Sequence, residues 1–163
     1  MLHSSFLATL VFLFTATAFA YPAVGDRVEW TGTIDKLDGT STPIKVVKEI
    51  LSQNEKSKKW VVKKDVTLGE ERMTETLEHE SIYTPEQFKK TLETCEANGG
   101  KIEETTVPAG TYKTCMLVTV SEDGRVDQKW WGDVPFGVVR KNTSENTNAK
   151  NAKLDLNSIL NGL

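Results

Sequence analysis

Short runs of alternating apolar and polar residues, broken again and again by turn chemistry, constrain this chain to an antiparallel β-rich fold. Val28, Trp30 and Ile34 share one parity in a first strand over 26–36. A turn-forming stretch, DGTSTP at 38–43, follows. IKVVKEIL (44–51) and KKWVVKKDVTL (58–68) are rich in β-branched residues and flank the polar SQNEKSK, as a hairpin would. Residues 70–83 are ambiguous. Met73 and Leu77 suit a helix by spacing, but two threonines, Thr74 and Thr76, and the preceding strands favour a strand.

One helix interrupts the strands. Thr84-Pro85-Glu86-Gln87 carries the capping-box spacing, with proline at the first helical position, and Asn98-Gly99-Gly100 supplies a stop. The spacing predicts a helix over 85–97. Strands resume at 101–107 and 111–120, joined through Pro108-Ala109-Gly110. They continue at 126–131 after a turn with Asp123-Gly124 at its centre. Val134-Pro135-Phe136 bends the chain into 137–144. A polar ENTNAKNAK stretch precedes a last strand at 153–160. The expected architecture is α+β: a single curved antiparallel sheet of about nine strands, half-barrel-like, with the helix packed on its concave face.

Charge is distributed unevenly. The chain has 163 residues and a net charge of −3, and none of its 20 basic and 23 acidic residues lies in the first 20 positions. Residues 6–14 are an apolar run, and Ala18-Phe19-Ala20 is a small-x-small site. Residues 1–20 therefore read as a signal peptide, although its leading segment lacks Lys and Arg; residues 21–163 read as one domain. A periplasmic or secreted location follows. No second stretch is long and apolar enough to span a bilayer, and the acidic balance argues against nucleic acid as a partner. In an oxidising compartment the two cysteines, Cys95 and Cys115, read as a structural disulfide. The alternative, a redox pair or half a metal site, lacks C-x-x-C spacing and has only His79 beside it in the mature chain.

Few residues invite chemistry. His79 is flanked by Glu78 and Glu80, which a strand would turn to the opposite face, so it reads as a solvated histidine. Glu70, Glu71, Glu75, Glu78 and Glu80 lack the spacing of a calcium loop and read as a solvated face. There is no nucleophile elbow, zinc helix or phosphate loop, and nothing asks for a cofactor. Asn142-Thr143-Ser144 is a glycosylation sequon by pattern, relevant only in a eukaryotic secretory pathway. Trp130 and Trp131 are adjacent on a strand and so face opposite sides. One enters the core, while the other can line a concave surface that would suit a lipid, a sugar or a peptide. Trp30 and Trp60 are assigned to the core.

The segments V-P-A-G-T-Y-K-T-C (107–115) and W-W-G-D-V-P-F-G-V-V-R (130–140) resemble a group of exported bacterial domains of uncharacterised function. Their pattern runs V-P-A-G-T-F, a nearby Cys, then W-Y-x-x-x-V-P-x-G-x-V-K. Here Tyr112 takes the Phe place, Trp131 the second aromatic and Arg140 the basic residue. An upstream C-x-x-x-G-G, matched by 95–100, supports a Cys95–Cys115 bridge. The similarity covers residues 90–160 well and the front half only in layout. It implies the curved half-barrel of periplasmic lipoprotein carriers and a Gram-negative envelope, and it brings no catalytic residues. WW-G-D departs from the group's usual aromatic-Ser/Asn run.

The resulting expectation is a non-enzymatic binding or accessory protein of the envelope. Trp131, Phe136, Tyr112 and Trp130 would line or border a ligand face for an unidentified lipid, glycan or protein segment. The alternatives are an inhibitor or immunity-type protein that presents loop 131–137 to a secreted hydrolase, and a glycan hydrolase with paired carboxylates.

Overall fold

Nine strands and one helix follow one another in a computed structural model that describes residues 21–36, 38–144 and 151–160. The expected signal peptide (1–20) and most of the polar stretch after residue 144 lie outside the described residues. The strands are β1 (Arg27–Asp35), β2 (Ser41–Gln53), β3 (Trp60–Leu68), β4 (Glu71–His79), β5 (Lys101–Val107), β6 (Gly110–Val120), β7 (Val126–Trp131), β8 (Val138–Ser144) and β9 (Asn151–Leu160). The ambiguous 70–83 stretch supplies β4, whose residues are almost all exposed.

Hairpins make two four-stranded antiparallel meanders, β1–β4 and β5–β8. β9 is hydrogen-bonded antiparallel to β1 on one side and β8 on the other, so the strand order is β4-β3-β2-β1-β9-β8-β7-β6-β5. The expected single curved, half-barrel-like sheet is therefore corrected to two four-stranded sheets whose backbone ladders are linked through β9. Lys64 of β3 and Lys129 of β7 line the same groove although five strand positions separate them. In a flat sheet that separation would be roughly 24 Å, so the two meanders turn toward each other. A sheet this wide splits into packed halves rather than staying open.

The joint between the halves is apolar. Val28 and Trp30 from the first meander pack with Val107, Val134 and Val139 from the second. A smaller cluster, Ile50, Val62 and Ile82, lies under the first meander, with Trp60 packed against it. Trp30 and Trp60 thus serve the core as expected.

The helix α1 (Pro85–Thr94) begins as the sequence dictates. Thr84 Oγ1 accepts from the Gln87 amide at 3.2 Å and Gln87 Oε1 accepts from the Thr84 amide at 2.9 Å. It ends three residues before the expected position. From Cys95 onward the backbone closes turns instead, with the Gly100 amide donating to the Cys95 carbonyl at 2.8 Å and Gly99 at φ +73°. None of its residues is fully buried, so it lies against the sheet as a surface buttress and does not plug a concave face.

A disulfide between Cys95 and Cys115 ties the end of this helix to β6. Both cysteines are buried. Closing a loop of about 21 residues stabilises a fold by roughly 3 kcal/mol in the chain-entropy account. The double variant Cys95→Ala/Cys115→Ala should lose about 3 kcal/mol of unfolding free energy in urea titrations. A loss below about 0.5 kcal/mol would show that the bridge does not constrain the unfolded chain.

Candidate functional site

Strand parity sets up the site. Val46, Lys48 and Ile50 share one face of β2, and the register places Val66, Lys64 and Val62 beside them on β3. A lysine therefore interrupts the apolar face at the same level on two adjacent strands. From the other meander, Lys129 and Lys141 are opposite each other on β7 and β8, and Trp131 is opposite Val138.

Where the meanders meet, these residues line a groove of about 400 Å³. Its floor is Trp30, Val46, Trp131, Phe136 and Val138, and its charged groups are Lys48, Lys64, Lys129 and Lys141. No carboxylate lines it. Lys64 is held by Glu75 at 2.6 Å and Lys141 by Asp127 at 3.4 Å. Lys48 and Lys129 make no ion pair among the described residues. Lys48 Nζ lies 5.4 Å above the Phe136 ring, a cation–π distance. Burial, and then repulsion from Lys64 and Lys129, hold the Lys48 ammonium below the usual lysine range, with Glu75 opposing the shift.

A tight turn presents Phe136. The Gly137 amide donates to the Val134 carbonyl at 2.9 Å, with Pro135 second and Phe136 third in the turn. Phe136 has φ +64°, a left-handed conformation that glycine usually supplies at this position of a type II turn. This orientation sets its ring edge-on to Trp30, 6.5 Å between centroids, and under Lys48. Gly137 follows at φ +75°, where a Cβ would lie 2.6 Å from the Tyr83 ring. Tyr83 in turn backs Trp131, with ring centroids 5.4 Å apart.

Two of the four residues expected at a ligand face, Trp131 and Phe136, come together here. Trp130 points to the other side of β7. It is buried, donates from Nε1 to Glu103 at 2.6 Å and lies under the Arg140 guanidinium, which pairs with Asp155 at 2.6 Å. Tyr112 packs against the joint between the meanders, and its hydroxyl donates to the Ala109 carbonyl at 3.1 Å. In loop 131–137 only Asp133 is exposed; Val134, Pro135 and Gly137 are buried. Asp133 accepts from the Tyr21 hydroxyl at 2.5 Å, which pins the loop to residue 21.

The remaining candidates are dispersed. His79 ends β4 opposite Trp60. Glu75 and Glu80 are paired with Lys64 and Lys59. No group of His, Cys, Asp and Glu among the described residues is placed to hold a metal. Asn142 of the sequon lies within β8, half-buried. A second hollow, of about 290 Å³, is lined by polar residues including Asp35, Gln128, Asn142 and Thr143. The sequence reading missed the four lysines. Their signal was legible in part: Lys48 and Lys64 occupy inward positions within β-branched runs.

No family model and no curated protein matches the chain. Among solved structures it is similar to a Bacteroides fragilis chain described as a "putative exported protein with YmcC-like fold". The identity is 13%, the TM-score is 0.46, and the match covers 88% of this chain and 99% of the other. The resemblance to exported bacterial domains gains no family match from these comparisons. No helix among the described residues is long and apolar enough to cross a membrane.

Two consequences can be measured. Gly137→Ala should destabilise the fold by more than about 1 kcal/mol, because it adds positive-φ strain and a clash with Tyr83; an unchanged urea midpoint would contradict this packing. Lys48→Met should raise the melting temperature at pH 7, because it removes a poorly solvated charge. The unfolded chain binds the Lys48 proton more tightly than the folded one. Wild-type stability should therefore rise with pH up to the unfolded lysine value of about 10.4, relative to Lys48→Met. Parallel curves for the two proteins would show that Lys48 is not depressed.

Proposed function

We propose that the protein is a non-enzymatic binding or accessory protein of the periplasm or cell exterior, and that its ligand sits in the groove between the two meanders on Trp131 and Phe136. The location rests on the apolar leader with its small-x-small site. The observation that carries the function is the groove itself: an apolar, aromatic floor at the junction of two sheets, backed by Tyr83 and Gly137 and rimmed by polar groups. Small-molecule sites have this composition and favour such junctions. Its volume of about 400 Å³ lies within the range of such sites.

The groove lends no support to a hydrolase, because acid–base cleavage of a glycan needs two carboxyls and none lines it. Loop 131–137 is a poor inhibitory loop for a similar reason: its apolar residues are turned inward and its one exposed residue is an aspartate. Trp130 and Tyr112 support the walls and do not meet the ligand in this reading.

The test is recovery of the full chain from the envelope of the cells that make it, followed by mass spectrometry of whatever co-extracts. A non-protein compound should accompany the wild-type protein in near-stoichiometric amount. Trp131→Ala should reduce it about tenfold while far-UV circular dichroism stays unchanged. Equal recovery from the variant would remove the groove as the binding site.

A further inference from the structure

We infer that the ligand is an anionic amphiphile with a single acyl chain, its head held by Lys48 and Lys129 and its tail laid on the apolar face of the first meander. This rests on the groove being the ligand site. Three independent features carry it.

The first is charge. The chain as a whole is acidic, with net charge −3, yet the groove collects four lysines and no carboxylate. Two of them, Lys64 and Lys141, are neutralised by partners. Lys48 and Lys129 have no carboxylate partner among the described residues, and both are half-buried. Two ammonium groups without an ion pair beside an apolar floor, eased only at a distance by Glu75 and Asp127, are costly to the empty protein. A carboxylate or phosphate between them removes that cost, and the low-dielectric surroundings strengthen the attraction.

The second is the apolar track leading away from the lysines. Register places Val46, Val66 and Met73 in one row across β2, β3 and β4, and Val62 beside Leu77 in another. Met73 is 59% exposed and Leu77 42% exposed, on an edge strand where large apolar side chains are otherwise unwelcome. The Val46–Val66–Met73 row therefore carries apolar surface from the groove to the rim of the sheet, while the second row is buried at Val62 and open only at Leu77, with the Lys64–Glu75 pair between the two. A head group at Lys48 leaves a tail that direction to follow.

The third is size and shape. A volume of about 400 Å³ suits a small molecule and is too small for a folded partner. The rings are also poorly disposed for a sugar. Trp30 is buried, Phe136 lies under Lys48, and Trp131 is half-buried against Tyr83, so stacking on a sugar would fall to Trp131 alone.

The experiment is isothermal titration of the full chain with dodecanoate, with dodecyl maltoside and with dodecyltrimethylammonium, all below their micelle concentrations. Dodecanoate should bind at least tenfold tighter than either of the others, and its affinity should fall as salt rises. Lys48→Gln/Lys129→Gln should weaken dodecanoate about tenfold or more and leave dodecyl maltoside unchanged. Lys89→Gln/Lys90→Gln, on the exposed face of α1, should change neither. Equal binding of the three amphiphiles, or full dodecanoate affinity in the Lys48/Lys129 variant, would overturn the assignment of the head group. If Trp131→Ala still abolished binding in that case, the groove would stand as the ligand site. No binding of any amphiphile by folded protein would overturn the inference. The co-extraction experiment would then decide separately whether the groove holds a ligand of another class.

Discussion

One side chain joins the two halves of this molecule. The Trp30 indole of β1 donates from Nε1 to the Val138 carbonyl at the start of β8, at 2.8 Å, reaching across the line of β9. Trp30 also anchors the apolar cluster shared by both meanders and meets the Phe136 ring edge-on. Each meander alone would expose one apolar face, and the helix covers little of either. The structure therefore depends on the indole making a mostly apolar contact with a satisfied polar end. Removing a ring of this size from a core typically costs about 3–5 kcal/mol. Here the same loss would also free the partly buried Val138 carbonyl and part the walls of the groove.

The groove is a by-product of that joint. Two twisted sheets that meet at one seam diverge away from it, and the residues flanking the seam line the resulting cleft. The sequence fills this cleft in an unusual way. Apolar residues would have closed it, yet Lys48 and Lys129 project there, and Phe136 accepts a left-handed backbone to present its ring. Both choices work against stability. Local costs of this kind are characteristic of functional positions, which is why the cleft and not the polar hollow near residue 144 is read as the site.

Much of the fold could be read from the residues because it is local. Hairpins, the capping box at Thr84–Gln87 and the cysteine pair depend on neighbours in sequence, and each appears close to its expected place. The division into two sheets was not legible. It depends on β9 pairing with both β1 and β8, contacts between residues more than a hundred positions apart in the first case. Trp131 and Phe136 were legible as aromatic residues near a turn. The lysines were legible only at Lys48 and Lys64, which interrupt β-branched runs, because a lysine within a strand otherwise reads as solvent-facing until the partner sheet is in place. Trp130 and Tyr112 show the converse: their chemistry suggested a ligand surface, and the register buried one and packed the other into the joint.

The most direct test of the joint is hydrogen exchange at the indole N–H groups, followed by NMR as urea is added. The Trp30 indole proton should be strongly protected, and the amides of both meanders should lose protection together with it in one transition. The Trp131 indole, in the groove wall, should exchange freely. Rapid exchange at Trp30, or separate unfolding of β1–β4 and β5–β8 before Trp30 opens, would contradict the view that this residue holds the two sheets together.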